Sequence, residues 1–520
     1  MLIGISVSLF LNLNFCSDPS PQSAYANEAP PVNGQYHFVD NGAGGGARKA
    51  AAGTGFKGFL RRNVIWASLL ALLVLAAVGV GLGVGLSKGL NKSNKVATSG
   101  NNAAAGDTTG GSTSGTKGGA TGSNGNTSAA ITPYEFWNYA DPQAKIIGVS
   151  LGGWLVLERW MNEDWFVQNA GPQAMDEWSF SQALGSKAAG VLEDHWNTWV
   201  TEADLDTLAS VGVNHIRIPV GYWLFSPRQG NEPWVNTTQL SHLETMLGWM
   251  YKRNMRALID MHAMPGSQNG DQSSGHMVSP PQWFSSANQN RSLAVIDAAI
   301  EWINQSPHKT VVSAFAPVNE PMGNMYVTDD RKATVKSFLQ AVYPKLRAAN
   351  LPMFWHHGFV KGPPDYWRDF ASTMDPKYSV INDNPYPGFF PPKTDTDAVI
   401  ASVCSNVQGW SGFPIPVVMT EWALSSGVHG TSWQKQYYNT QASAYAWSAG
   451  SFFWNFKMAL TTTSPSVTGT DDSQQMEYSM LNMISKGIIP TNQNQTSVAY
   501  YQSLPNPGCG PIQFQTYGGN

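Results

Sequence analysis

From about Ile131 onward, short apolar runs of β-type composition alternate with stretches whose apolar residues recur at helical spacing. The runs are KIIGVSLG, GVNHIRIPV, MRALIDMH, TVVSAFAPVNE, PMFWHHG, YSVINDNPY, IPVVMTEW and GSFFWNF. Between several of them lie segments with the i, i+3, i+4 pattern of a one-sided helix, such as Leu240 to Tyr251, Arg331 to Ala348 and Trp433 to Trp447. Eight such runs, most separated by helices, predict an α/β domain folded as a (β/α)8 TIM barrel with long insertions over residues 131–520. An open doubly wound sheet is the structural alternative, but no Gly-rich phosphate turn follows the first run.

Upstream the pattern changes. Val64 to Leu86, VIWASLLALLVLAAVGVGLGVGL, carries no charge and, at ~1.5 Å per residue, is long enough to cross a hydrocarbon core of ~30 Å. Low-complexity sequence flanks it on both sides and offers nothing to bury it, so a transmembrane helix is expected over 64–86. Arg48, Lys49, Lys57, Arg61 and Arg62 precede it, against Lys88, Lys92 and Lys95 after it, a bias that favours an N-terminus in the cytoplasm. Residues 1–63 then form a cytoplasmic tail and residues 87–130 a flexible Gly/Ser/Thr/Asn-rich tether, with the large domain held outside a type II plasma-membrane anchor. The apolar stretch Leu2 to Leu13 has the look of a signal h-region, but it lacks a basic n-region and an immediate small-x-small site. Were it cleaved, the later helix would stop transfer and leave the large domain in the cytosol.

Composition adds detail to this topology. Asn126, Asn236, Asn290, Asn304 and Asn494 each head an Asn-x-Ser/Thr triplet, as suits a luminal domain. Cys16 falls on the cytoplasmic side, leaving Cys404 and Cys509 as an even pair in an oxidising compartment. A net charge of -4 without a long basic run gives no reason to invoke nucleic acid.

The tripeptide Asn-Glu-Pro occurs twice, at Glu232 and at Glu320. Glu320 stands directly after the apolar run Val311 to Val318, where barrel enzymes keep their chemistry, whereas Glu232 follows the turn-forming SPRQG and reads as an ordinary exposed loop residue. Glu421 ends a second apolar run three strands later. Two carboxyl groups facing each other across a barrel mouth can cleave a glycosidic bond: one, protonated, assists the leaving oxygen, and the other, ionised, attacks the anomeric carbon. Taken singly, each is as readily a capping or salt-bridging carboxylate. Arg217, a charge inside the β-branched HIRIPV, is costly to bury unless paired and can hold a nucleophilic carboxylate ionised. His262, Tyr386 and Trp454 end three further runs and together suggest a sugar pocket, although singly His262 and Trp454 read as core residues. His356 and His357 are adjacent, but no HExxH or Cys-rich spacing accompanies them, and no GxSxG lies between a strand and a helix, so neither a metal centre nor a triad hydrolase is expected.

The stretches GVSLGGWLVLERW, NHIRIPVGYW, LIDMHAMPGSQNG, APVNEP, VVMTEW and FFWNFK span almost the whole domain. In them the domain resembles glycoside hydrolase family 5 and, within it, the fungal exo-β-1,3-glucanases. The resemblance implies Glu320 as acid/base and Glu421 as nucleophile, with retention of anomeric configuration. It places Asn319 at the 2-hydroxyl, Arg217 and Tyr386 beside the nucleophile, and His262, Glu158 and Trp454 along the subsite of the sugar to be cleaved. It further implies a Cys404–Cys509 disulfide, a β-glucan substrate in the cell wall, no cofactor or metal, and a monomer. A mildly acidic, bell-shaped activity profile is expected from Glu421 held ionised and Glu320 raised by its neighbouring carboxylate.

Two stretches depart from the family pattern. Asn384-Pro385-Tyr386 stands where His-x-Tyr is usual, and DQSSG, Asp271 to Gly275, replaces an aromatic followed by Asp-Asn-Ser-Gly. The second departure leaves β-1,6-glucanase or other β-glycanase action open. A catalytically silent, membrane-tethered glucan-binding protein is the alternative of another class.

Overall fold

The computed structural model describes residues 131–461, 474–492, 495–505, 508–511 and 513–517. The expected tail, the apolar stretch 64–86, the tether, Cys16 and the sequons Asn126 and Asn494 lie outside the described residues. Among the described residues no helix is long and apolar enough to cross a membrane.

Eight parallel strands close into one barrel in sequence order. They are β1 (Ile146–Ser150), β2 (His215–Gly221), β3 (Arg256–Ala263), β4 (Val312–Ala316), β5 (Met353–His356), β6 (Ser379–Asp383), β7 (Val417–Met419) and β8 (Gly450–Phe453). All eight apolar runs therefore form strands, and the helices Gln239–Tyr251, Asp329–Ala348 and Thr431–Tyr445 coincide within a residue or two with the expected segments. The seam between β8 and β1 depends on close approach: at Gly148 a Cβ would meet the Phe452 ring at 2.5 Å, and at Gly450 it would meet the Ile146 carbonyl oxygen at 2.3 Å.

Alternation along each strand sorts its side chains to opposite faces. One set, including Ile146, Leu258, Ala314, Phe354, Val380, Val418 and Phe452, forms its own small apolar cluster, which fills the barrel toward the N-terminal strand ends. The intervening residues, among them Val149, Ile216, Ile218, Ile259, Phe315, Trp355 and Ile381, join the large cluster under the helices. Following the inward series Leu258, Asp260, His262 up β3 shows the interior turning from apolar to polar at its C-terminal end. That upper layer holds the candidate chemistry.

Cys404, on the helix Thr396–Gly409, is disulfide-bonded to Cys509 in the C-terminal tail, with Cα atoms 5.3 Å apart and a sequence separation of 105. In the chain-entropy account, closing so long a loop stabilises the domain by up to ~4 kcal/mol. Cys404→Ser is expected to lower the denaturant midpoint accordingly; an unchanged midpoint would show that the cross-link contributes nothing.

Candidate active site

Arg217 projects from β2 into the upper layer and is 2% exposed. It would be costly there alone. Its Nη1 donates to Glu421 Oε1 at 2.7 Å, and its Nη2 lies 2.8 Å from Asn319 Oδ1 and 3.0 Å from Asp260 Oδ2. Burial pulls against the guanidinium charge, but Asp260 and Glu421 outweigh it, and the proton is held more tightly than usual. One fork thus joins β2 to residues at the ends of β3, β4 and β7.

Glu421 lies just past β7 and is 6% exposed. Its other oxygen, Oε2, accepts from the Tyr386 hydroxyl at 2.9 Å. A carboxylate with a guanidinium on one oxygen and a phenol on the other is oriented and charge-compensated, as a nucleophile must be. Burial and the Glu421 charge push the Tyr386 hydroxyl well above its ordinary range, so it remains a donor.

Glu320, just past β4, takes φ of +43°, an uncommon conformation for a side chain with a Cβ and one that clusters at functional sites. Its Oε1 accepts from Asn384 Nδ2 at 2.7 Å. Among the described residues no cation pairs with it directly; burial and the Glu421 charge push its carboxyl up to about 8, against weaker opposing contributions from Asn384, His262 and Arg217. The two glutamates therefore sit in opposite surroundings: one is matched by a buried cation, the other is biased toward the protonated acid.

His262 Nδ1 meets Asp260 Oδ2 at 2.7 Å, and its Nε2 lies 3.8 Å from Glu158 Oε1. Its ring stacks on Trp454 at 5.4 Å with an interplanar angle of 12°. Glu158 also accepts from Trp160 Nε1 at 2.9 Å, and burial pushes it up to about 7. Trp454 is only 3% exposed and has Arg217 near one face at 5.5 Å, so it forms pocket floor more than an open platform. The Asn319 amide is turned by Arg217, which occupies its oxygen; its Nδ2 lies 3.5 Å from His262 Nε2, at the outer limit of a hydrogen bond. All eight residues singled out from the sequence belong to this one cluster, seven through direct contacts or a shared partner and Glu320 through the charges of Glu421, His262 and Arg217 that act on it.

Several roles escaped sequence reasoning. Asp260 binds both Arg217 and His262, and its place two residues before His262 on a strand was the available signal. Gln268 ties β3 to the segment after β4, donating from Nε2 to the carbonyls of His262 at 2.7 Å and Asn319 at 3.0 Å. Asn384 takes the contact to Glu320, and Thr420 Oγ1 in turn donates to its Oδ1 at 2.7 Å. His356, His357 and Asp383 bring their ligand atoms within 4.8 Å of one another. We assign them a structural role: Asp383 accepts from His357 Nε2 and from the Asn384 backbone N–H, both at 2.8 Å, and so fixes the turn that carries Asn384.

Glu232 requires a correction. It is not an ordinary exposed residue but forms a part-buried ion pair with Arg291 at 2.6 Å and accepts from the Tyr222 hydroxyl at 2.6 Å. Flanking turn residues gave no sign of the arginine contributed by the distant helix Ser286–Gln305. The DQSSG stretch forms an ordered turn, with Ser274 buried and its Oγ 2.6 Å from Ser267 Oγ. Asp271 stays exposed, and its charge adds to those acting on Glu158. Asn290 and Asn304 are exposed on the helix Ser286–Gln305, whereas the Asn236 side-chain nitrogen donates to the Trp223 carbonyl at 2.6 Å.

Residues 182–458 match the family model described as cellulase (glycosyl hydrolase family 5). The chain belongs to glycosyl hydrolase family 5. Among its family relatives, a probable glucan 1,3-beta-glucosidase A of Aspergillus fumigatus is 32% identical over 283 residues, covering 53% of this chain and 64% of the relative. A glucan 1,3-beta-glucosidase of Blumeria graminis is 41% identical over 179 residues, covering 34% of this chain and 41% of the relative. The matched stretch thus spans less than two thirds of either relative. In fold the chain is similar to the crystal structure of a rutinosidase from Aspergillus niger, with a TM-score of 0.61 and 24% identity over 68% of this chain and all of that one.

Proposed function

We propose that the domain is a retaining β-glucosidic hydrolase acting on cell-wall β-glucan, releasing glucose from β-1,3-linked chains as an exo-enzyme. The observation that carries the reading is the division of surroundings between two carboxyl groups at the mouth: Arg217 and Tyr386 on Glu421, burial and a neutral amide on Glu320. Glu421 attacks the anomeric carbon while Glu320 gives its proton to the departing oxygen, forming a covalent glycosyl-enzyme. Glu320, now a carboxylate, takes a proton from water, which attacks the same carbon and releases Glu421. The glucan 1,3-beta-glucosidase relatives support the linkage. Glu158 and His262, side by side in the pocket, offer the polar contacts that select a glucose unit.

The apolar stretch 64–86 and the basic residues before it support a type II anchor at the plasma membrane, with the domain outside. Protease treatment of intact cells should remove the domain and leave the tail; protection of the domain would reverse the topology.

Product analysis on laminarin, pustulan and cello-oligosaccharides tests the substrate assignment. Glucose from laminarin as first product supports it, whereas preferential attack on pustulan makes the enzyme a β-1,6-glucanase. Activity on unactivated glucan should fall as pH rises through about 8, because Glu320 must carry its proton to serve as acid. A kcat/KM profile already falling below pH ~6 would contradict that environment.

A further inference from the structure

A primary amide is a donor at one end and an acceptor at the other, so the end that meets a carboxyl group decides which protonation state it favours. Asn384 is 6% exposed and presents Nδ2 to Glu320 Oε1, while its Oδ1 accepts from the hydroxyl of Thr420, itself 1% exposed. Both backbones are pinned to one residue: the Thr420 N–H donates to the Asp383 carbonyl at 2.9 Å, and the Asn384 N–H to Asp383 Oδ1 at 2.8 Å. The amide therefore has little freedom to move as a unit, but it can still turn end for end about its last side-chain bond.

We propose that Thr420 is a positioning residue for the proton donor: its hydroxyl holds the Asn384 amide with the N–H end toward Glu320. The proposal rests on the reading of Glu320 as acid/base. An N–H donor favours the ionised carboxylate; an amide oxygen in its place would favour the acid. The other groups facing Glu320 are Glu421 from the end of β7, His262 from β3, Arg217 from β2 and Tyr386 after β6. Behind Asn384, Asp383 is paired with His357, and His356 lies alongside. Thr420 thus trims the acid without contacting substrate, offsetting part of the upward push of burial and Glu421, and it does so through an amide that does not titrate.

The test compares Thr420→Val, which keeps the shape and loses the hydroxyl, with Thr420→Ser, which keeps the hydroxyl. On unactivated laminarin-oligosaccharide, Thr420→Val should move the alkaline limb of kcat/KM upward by about 0.5–1 pH unit, the size of one hydrogen bond, while Thr420→Ser stays at wild type. Asn384→Ala should shift the limb in the same direction, and adding Thr420→Val to it should shift it no further. The proposal is overturned by a limb unmoved in Thr420→Val, by an equal shift in Thr420→Ser, or by additive shifts in the double variant. If Thr420→Val does not fold, the Asn384→Ala limb decides, and no upward shift there overturns it. Failure of the underlying acid/base reading looks different: the same alkaline limb would then persist on a dinitrophenyl glucoside, whose leaving group needs no proton.

Discussion

Glu421→Ala is expected to lose on the order of 10^5-fold or more in kcat on every glucoside, however good its leaving group, because in the proposed mechanism Glu421 itself forms the covalent bond. Glu320→Ala should behave differently. On unactivated glucan it loses general-acid assistance, worth about 10^2–10^4-fold, but on a dinitrophenyl glucoside the first step survives and azide restores turnover by attacking the exposed intermediate. The contrast follows from the two environments. Glu421 is bracketed by Arg217 and Tyr386, which orient an anion, whereas Glu320 meets an amide N–H and a neighbouring carboxylate. Equal responses of the two variants to leaving group and azide would remove the role assignment.

Arg217→Ala is expected to destabilise the domain by ~3–5 kcal/mol, since it leaves Asp260 and Glu421 buried without their shared cation. Arg217→Lys retains the charge but cannot reach Glu421, Asn319 and Asp260 with one planar fork. It should keep most of the stability and lose on the order of 10^2-fold in kcat/KM through misplaced partners. Denaturant midpoints and kinetics on an aryl glucoside measure both effects. An Arg217→Ala variant as stable as wild type would show that the fork is not what balances these carboxylates.

The barrel was legible because each strand is a short β-type run and several helices show one-sided spacing, two periods that do not mimic each other. Glu320 and Glu421 were legible as candidates because each directly follows such a run, and in a barrel that position is the mouth. What escaped depends on pairs distant in the chain. Glu232 and Arg291 meet only because β2 and its following loop pack beside the helix Ser286–Gln305, and no local pattern announces such a pair. Asn384 looked like a deficit, a histidine missing from a family pattern; its meaning emerged only with Thr420 opposite and Glu320 in reach. Asp260 lay open to period-two reasoning from His262, but a carboxylate inside LIDMH carries no signal of the arginine on the neighbouring strand that makes its burial affordable.

The central claim, that Glu421 forms a glycosyl-enzyme while Glu320 serves as acid and then base, fixes the stereochemistry of the product. Proton NMR of the anomeric region during the first minutes of laminarin-oligosaccharide hydrolysis, before mutarotation, reads it directly. The double displacement predicts β-glucose as the first product, with the α-anomer rising only later. α-Glucose appearing first would mean a single displacement by water and would contradict the nucleophilic role of Glu421.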